Sequence, residues 1–260
     1  ISAETIDAQG LVDRHYAAIA ERAMHRHPRH LDPDDSQRRR FAETFGMTWD
    51  DALASGRFIN AYDLQSRHPE ADLEAIAEQW QQSTMLKLGP GFYVGHMQPL
   101  DLLVVNGFYL AMRARLTRPG DRVVCYECSF EPETLSWEAF RRDVIGPTNP
   151  TEAAPESIRG TLARDWQQFD LTTPPNITDN GVHGSAGPLE ALHERSIWLG
   201  VPTHHDPLVT ALSDAGLGIS RIEELLTNPV VLLSDAHGPV FDLTEGWDAE
   251  TVLKRAGEFA

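Results

Sequence analysis

The sequence predicts an α/β or α+β fold, and three observations lead to this prediction. Segments whose apolar residues recur at helical spacing alternate with short apolar segments that favour strands. Hydrophobic residues make up 41% of the 260 residues, which is enough for a real core in one large domain or two small ones. The alternation is not broken by an internal repeat or a low-complexity segment.

The first half of the chain is predicted to be mostly helical. Residues 10–26 place Leu11, Tyr16 and Ile19 on one face of a helix, and residues 99–116 carry a second apolar stripe. The remaining predicted elements of this half are a polar connection at 25–40, helical segments within 41–85, and a strand at 122–130 after the turn at Pro119-Gly120.

The second half predicts shorter elements separated by turns. Proline, threonine and asparagine make residues 146–160 a loop, and the two prolines at 174 and 175 mark a further turn. The predicted elements are helices at 133–142, 187–198 and 206–226, an apolar strand at 230–233, and a final helix that begins near Asp248.

The charge balance excludes several function classes. The formal net charge is −17 and the sequence pI is about 4.9, so nucleic acids and anionic membranes are disfavoured as partners. The apolar segments are too short to span a bilayer, and the first residues lack a signal pattern, so a cytoplasmic protein is expected.

The two cysteines, Cys125 and Cys128, lie in the predicted strand at 122–130. On a strand they would face opposite sides, which argues against a redox or metal site.

Residues 142–198 contain groups that suit the binding of phosphates. Arg142 and Arg159 can neutralise phosphate oxygens, because the planar guanidinium group donates two parallel hydrogen bonds. Thr148 offers a hydroxyl that can donate to phosphate. These residues indicate a local positive site in a chain that is otherwise acidic.

The same region contains a histidine that can act as a nucleophile. A neutral histidine attacks phosphorus when an acceptor orients its other ring nitrogen. His183 has such an acceptor in Glu194, eleven residues further on, while Asn180 can hold a sugar hydroxyl. Together with the arginines, His183 predicts a phosphoryl-transfer site.

Four segments resemble the motifs of the nucleoside diphosphate kinase family in order and spacing. The family carries Gly-x-Thr-Asn-Pro, Ile-Arg-Gly, Asn-x-x-His-Gly-Ser and a glutamate that precedes a tryptophan. These motifs align with residues 146–150, 158–160 and 180–185, and with Glu194 and Trp198. The resemblance covers residues 106–199 and a short stretch near 11–22.

The resemblance implies an activity and a role for each site residue. His183 would form a phosphohistidine that Glu194 orients, and the γ-phosphate of a nucleoside triphosphate, bound with Mg²⁺, would pass to a nucleoside diphosphate or a related small acceptor. The other implied roles are contacts to the β- and γ-phosphates from Arg142, Thr148 and Arg159, a ribose contact from Asn180, a position near the catalytic histidine for Tyr16, and base stacking by Phe108 or Tyr109. Tyr16, Phe108 and Tyr109 also suit a plain core position.

The resemblance also implies the architecture. It predicts a ferredoxin-like antiparallel sheet flanked by helices, formed by residues 1–23 and 106–200. A mostly helical insertion would occupy 24–105 and a C-terminal extension 201–260. A homo-oligomer is implied as well.

Two departures from the family pattern keep an alternative open. The family's first strand ends in Lys-Pro-Asp, which does not occur here, so the chain is expected to begin after that unit; Lys87 or Lys254 would have to replace the lysine. The family's Asp-Ser pair after His-Gly-Ser is replaced by Ala186 and Gly187. The alternative is a catalytically weak nucleotide-binding or interaction protein on the same scaffold.

Overall fold

The computed structural model describes residues 1–177 and 179–260, which form two compact units. The first unit is Ile1–Cys125 and the second is Tyr126–Ala260. Both contain hydrophobic clusters of fully buried side chains. None of the described helices combines the length and the apolarity that a membrane span requires.

The first unit places helices around one four-stranded sheet. Its helices are α1 (Ala3–Ala8), α2 (Leu11–His15), α3 (Ala17–Ala20), α4 (Asp35–Phe45), α5 (Trp49–Ala54), α6 (Ala61–Arg67), α7 (Leu73–Gln81) and α8 (Tyr109–Leu116). Its strands are β1 (Phe58–Asn60), β2 (Thr84–Gly89), β3 (Phe92–Met97) and β4 (Leu102–Val105). A π-helical turn, Glu21–His25, follows α3.

The sheet is mixed. The strand order is β1-β4-β3-β2, with β1 parallel to β4 and the other neighbours antiparallel. The free edge of β2 is protected by α4, because Gln37 donates to the Leu88 carbonyl at 3.1 Å and Arg40 donates to the Lys87 carbonyl. An aromatic cluster packs on one face of the sheet and contains Phe41, Trp49 and Phe58.

The second unit consists of short helices and one hairpin. Its helices are α9 (Trp137–Ala139), α10 (Ile158–Asp165), α11 (Pro188–Glu194), α12 (Pro207–Asp214), α13 (Ile219–Leu225), α14 (Val240–Leu243) and α15 (Ala249–Lys254). The strands β5 (Val230–Leu232) and β6 (His237–Pro239) pair antiparallel. Two π-helical turns, Phe140–Ile145 and Arg195–Leu199, continue α9 and α11.

The core of the second unit joins α11 to the C-terminal residues. Leu189 and Leu192 of α11 are buried in one cluster with Leu212, Ile222 and Phe259. The segment 201–260, predicted as an extension, therefore packs directly on the helix that carries Glu194. Each fully buried side chain of this size contributes roughly 1.5–3 kcal/mol relative to exposure.

The α+β class is confirmed, but the position of the sheet differs from the prediction. Its four strands lie within 58–105, the segment predicted as a mostly helical insertion, and the described residues of 1–23 and 106–200, where an antiparallel sheet was expected, form only isolated bridges. Several individual elements are confirmed. The strand predicted at 230–233 and the final helix are present, and α11 with its π-helical turn fills the helix predicted at 187–198. The helix predicted at 206–226 is two helices, because Gly216, with φ of 96°, ends the first one.

Two predictions of secondary structure were wrong, and a third is confirmed only in part. Residues 99–116 form strand β4 and helix α8, which Asn106 separates with a φ of 49°. The segment 122–130 contains no strand; only Arg122 forms an isolated bridge, to Ser2. The helix predicted at 10–26 breaks at Tyr16, whose ψ of 37° is not helical.

Candidate active site

His183 and Glu194 form the centre of the candidate site in the second unit. The two atoms His183 Nε2 and Glu194 Oε1 are 2.6 Å apart, which is the short distance of a charge-assisted hydrogen bond. The histidine side chain is 53% exposed, whereas that of Glu194 is only 12% exposed. The predicted pair is thus in contact, with the ring toward solvent and the carboxylate beneath it.

The loop that carries His183 is held through Ser185. The Ser185 hydroxyl donates to Glu194 Oε2, so one carboxylate binds both the ring and the loop. The indole nitrogen of Trp137 donates to the Ser185 carbonyl at 2.9 Å. These contacts restrict the position of the imidazole, which is what a nucleophile of fixed geometry requires.

Arg159 connects two of the predicted motifs. Its guanidinium group donates to the Gly146 carbonyl at 2.7 Å and to the Val182 carbonyl at 2.8 Å. Its Nε is buried and has no hydrogen-bond partner among the described residues. Burial, and then the charge of Arg141, lower the pKa of Arg159. The positive charge of Arg159 also acts to lower the pKa of His183. The arginine lies close to that residue, because it binds the carbonyl of the preceding Val182.

Asn180 and Thr148 are also brought together. The Asn180 amide donates to the Thr148 carbonyl at 3.1 Å, and both residues lie in loops of the second unit. The Thr148 side chain is on the surface. Three of the four predicted motifs are thus in contact, namely those that contain Thr148, Arg159 and Asn180. The contacts are hydrogen bonds from the Arg159 and Asn180 side chains to backbone carbonyls of the other motifs.

Arg142 points toward acidic neighbours. Its guanidinium group binds Asp143 through two hydrogen bonds of 2.8 and 2.7 Å, and it lies 3.5 Å from Glu138. Its side chain is 61% exposed. The charge that acts on Arg159 is that of the neighbouring Arg141, which lies on the same π-helical turn, Phe140–Ile145.

The predicted aromatic residues lie in the first unit. Tyr109 is fully buried, and its hydroxyl donates to Asp13 Oδ1 at 2.5 Å; burial, and then that contact, raise the pKa of Tyr109. Phe108 packs on Trp80 with ring centroids 5.3 Å apart. Tyr16 packs edge-on against His15 at 4.3 Å. Within the first unit, Phe108 and Tyr109 contribute to the core.

The electrostatics of His183 favour its protonated form. Partial burial lowers the pKa of His183, but the hydrogen bond and charge of Glu194, and then the charge of Glu190, outweigh this effect and raise the pKa above its ordinary value. Burial and the charge of Glu194 raise the pKa of Glu190 in turn. The candidate nucleophile therefore becomes neutral at a higher pH than an ordinary histidine.

Two glycines in the motifs are required by close packing. A Cβ on Gly160 would lie 1.9 Å from the Ala154 carbonyl oxygen, and a Cβ on Gly184 would lie 2.3 Å from the Ile145 side chain. The space beside His183 on the Gly184 side is therefore occupied by Ile145. Both glycines serve the packing of their loops.

The two lysines have separate environments. Lys254 pairs with Glu250 at 2.8 Å on the surface of α15, and Lys87 in β2 lies 5.6 Å from the centre of the Tyr93 ring.

A cavity of about 430 Å³ in the first unit is lined by Arg115, Leu116 and residues 120–123. None of the predicted site residues lines it.

Sequence reasoning missed Glu190, Arg141 and Trp137. Glu190 accepts a hydrogen bond from the Ala186 amide, and Arg141 pairs with Glu245. The spacing of four residues between Glu190 and Glu194 was a usable signal, because it places both carboxylates on one face of a helix. The sequence held no comparable signal for Arg141 or Trp137.

Comparison with known proteins supports a limited similarity. A stretch of 57 residues is 40% identical to the nucleoside diphosphate kinase of Streptococcus agalactiae serotype V, and the nucleoside diphosphate kinase of serotype III matches with the same values. The match covers 22% of this chain and 37% of the length of each relative. No family model and no solved structure matches the chain. The similarity to nucleoside diphosphate kinases is local.

Proposed function

We propose that this protein is a phosphotransferase that moves the γ-phosphate of a nucleoside triphosphate, through phospho-His183, to a nucleoside diphosphate or a related small acceptor. The observation that carries the proposal is the contact of 2.6 Å between His183 and Glu194. It supplies the two parts that a histidine nucleophile needs, an exposed ring and a carboxylate that orients it. The local similarity to nucleoside diphosphate kinases supports the same chemistry.

The proposed step is an in-line displacement at phosphorus. With the Nε2 proton directed to Glu194, the lone pair of His183 Nδ1 forms the new N–P bond. The bond between the γ-phosphorus and the bridging oxygen breaks, and the nucleoside diphosphate leaves with that electron pair. The ring gains positive charge in this step, and the Glu194 carboxylate stabilises it. Transfer to the acceptor reverses the sequence.

The remaining residues have proposed roles in binding. Arg159, Thr148 and Arg142 would contact the phosphates of the substrate, which is the Mg²⁺ complex of the nucleotide, and Asn180 would contact the ribose. Arg142 has to exchange Asp143 for phosphate in order to do so. The roles of Tyr16, Phe108 and Tyr109 stay predictions.

Labelling with γ-³²P-ATP and Mg²⁺ tests the proposal. We expect a phosphoprotein that is labile in acid and stable in base, and we expect His183→Gln to abolish it because the amide cannot form an N–P bond. His237→Gln, at an exposed histidine of β6, is the matched control and should retain the label. A label that persists in His183→Gln excludes His183 as the carrier.

A catalytically weak nucleotide-binding or interaction protein is the second candidate. The observation that favours it is the absence of Lys-Pro-Asp from the 260 residues, together with the pairing of Lys254 to Glu250. Loss of one cation that stabilises the transition state costs on the order of 10²–10⁴ in rate. ATP binding measured by calorimetry in a protein that takes no label would support this candidate.

The finer structural expectations are part of the proposal. The ferredoxin-like arrangement and the boundaries at 23, 105 and 200 stay predictions. A homo-oligomer is proposed on the resemblance, and the cytoplasmic location stays a prediction. Light scattering coupled to size-exclusion chromatography measures the number of subunits.

A further inference from the structure

Helix α11 presents two carboxylates to the same loop. Glu190 and Glu194 are four residues apart and lie on successive turns of one helical face. Glu194 binds the His183 ring and the Ser185 hydroxyl. Glu190 binds the backbone N–H of Ala186 through its Oε2. Every residue of 183–186 except Gly184 is thus bound by a side chain of this helix.

The contact to Ala186 falls where this chain departs from the family that it resembles. Ala186 has a methyl group in place of the family's carboxylate, and Gly187, the N-cap of α11, makes no side-chain cap. The third residue of a helix often supplies a glutamate that reaches back to a free backbone N–H near the N-terminus. Glu190 occupies that third position and binds the amide one residue before the N-cap.

The same loop is fixed from its other side by the C-terminal segment. The Gly246 amide donates to the Ala186 carbonyl at 2.8 Å. A Cβ on Gly187 would lie 2.5 Å from the Thr244 carbonyl, so the backbones are in close contact. With Glu190 on its amide and Gly246 on its carbonyl, Ala186 has both backbone groups paired. The residue that follows the His-Gly-Ser motif is therefore an anchor point of the loop.

The charges around Glu190 form a small cluster. The negative charge of Glu194, on the same helix, raises the pKa of Glu190. The positive charges of His183, in the loop, and of Arg141, in the π-helical turn, lower it. Arg141 also pairs with Glu245. On His183, the negative charges of Glu194 and Glu190 act against the positive charge of Arg159. Glu190 therefore reaches the ring electrostatically, although its hydrogen bond is to the loop.

We propose that Glu190 is a positioning residue for the phosphate-carrying histidine: it anchors the loop at Ala186 and places a second carboxylate beside that loop, one helical turn before Glu194. The significance of this role for catalysis rests on the proposed function above. The anchor and the charge are separable, because a glutamine at position 190 keeps an acceptor oxygen and loses the charge, whereas an alanine loses both.

The first test is a titration of the His183 ring by NMR in the full-length protein labelled with ¹⁵N-histidine. We expect the midpoint of the His183 titration in Glu190→Gln to move to lower pH. The substitution replaces one of the two carboxylates that stabilise the imidazolium with an uncharged amide. Glu223→Gln is the control; Glu223 is an exposed glutamate of α13, and the same change of charge there should leave the midpoint in place. An unchanged midpoint in Glu190→Gln overturns the electrostatic role.

The second test compares initial rates of labelling by γ-³²P-ATP across the pH range. A single hydrogen bond to a charged group is worth about tenfold or more in rate when it holds a reacting group. We therefore expect Glu190→Ala to lose about tenfold at high pH, where His183 is neutral, and to lose less at low pH, where removal of the charge leaves more of the ring neutral. Glu190→Gln should keep the rate of the unmodified protein at high pH. Wild-type labelling by Glu190→Ala at every pH overturns the anchoring role.

Failure of the proposed function is distinguishable from failure of this inference. If the unmodified protein takes no label, the phosphotransferase proposal fails, yet the NMR titration still reports whether Glu190 acts on His183. If the protein is labelled and both Glu190 variants titrate and react like the unmodified chain, the Glu190 inference alone is wrong. Circular dichroism of each variant establishes that it is folded.

Discussion

At the scale of single residues, the proposed reaction depends on the protonation of His183. Its pKa is raised chiefly by Glu194, acting against partial burial. A protonated ring has no lone pair for phosphorus, so the neutral form that reacts appears only as pH rises through this raised pKa. We expect labelling to increase with pH and to reach its midpoint above the ordinary range of histidine, near 6.5.

Glu194→Gln tests this prediction. The glutamine keeps an acceptor for Nε2–H but removes the charge, so the midpoint of labelling should move to lower pH. The limiting rate should fall by roughly 10–100-fold, because the positive charge that develops on the ring loses a charged hydrogen bond. Initial rates between pH 5.5 and 9 measure both effects. A variant with an unaltered profile would show that Glu194 does not orient His183.

Single residues also mark the limit of sequence reasoning at the site. The resemblance to the nucleoside diphosphate kinase motifs implied that Glu194 orients His183, and the structure places the pair in contact. The sequence analysis named Arg142, whereas the charge that acts on Arg159 and Glu190 is that of its neighbour Arg141. Glu190 reads as a solvated helix charge until its contact with Ala186 is known.

At the scale of elements, the start of α10 depends on a glycine. Ser157 caps this helix through a hydrogen bond to the Gly160 amide at 3.1 Å, and Gly160 faces the Ala154 carbonyl. Since α10 also carries Arg159, a shift of its first turn would move the guanidinium group that binds Gly146 and Val182. The geometry of the site thus depends on local packing at this helix.

Gly160→Ala should destabilise the protein. The added Cβ would lie 1.9 Å from a backbone oxygen, and overpacking of this kind costs about 1–3 kcal/mol of the free energy of unfolding. Gly257→Ala is the matched control, because a Cβ there would have no atom within 4 Å. That variant should stay within about 0.5 kcal/mol of the unmodified chain. Urea denaturation followed by tryptophan fluorescence compares the two; equal midpoints would contradict the packing argument.

The misassigned elements have a common cause. The apolar run Leu102 to Val105 fits a helical stripe as well as a buried strand, and a short run does not distinguish them. Pairing with β1 and β3 makes it a strand, and Asn106 ends it by donating to the carbonyls of Ile19 and Gly91. At 122–130 the composition favours a strand, but none of the neighbouring described segments pairs with it beyond the bridge at Arg122.

At the scale of the whole molecule, the net charge of −17 sets the class of ligand. A field of this sign repels a polyanion, while a nucleotide needs only the few positive groups near His183. We expect that duplex DNA is not retained, even at 50 mM salt, by a protein that is labelled by ATP. A gel-shift assay measures this, with labelling of the same preparation as the control. Retention of DNA at 150 mM salt would contradict the prediction.

The second unit is organised around α11. The residues beyond 200, which were predicted to be an extension, provide much of the core on which this helix packs. They also supply Gly246 and Glu245 as contacts to the loop and to Arg141. The candidate site is therefore built from the resembling region together with the segment that follows it.

The sequence by itself determined the acidic character, the α+β class, the site motifs and the pairing of His183 with Glu194. These are properties of composition, periodicity and short spacing, which a linear pattern contains. Only the tertiary structure decided the strand at Leu102–Val105, the anchoring of Ala186 by Glu190, and the packing of the C-terminal segment on α11. Each of these depends on hydrogen bonds or burial whose partner is chosen when the chain folds, so the sequence pattern alone could not specify them.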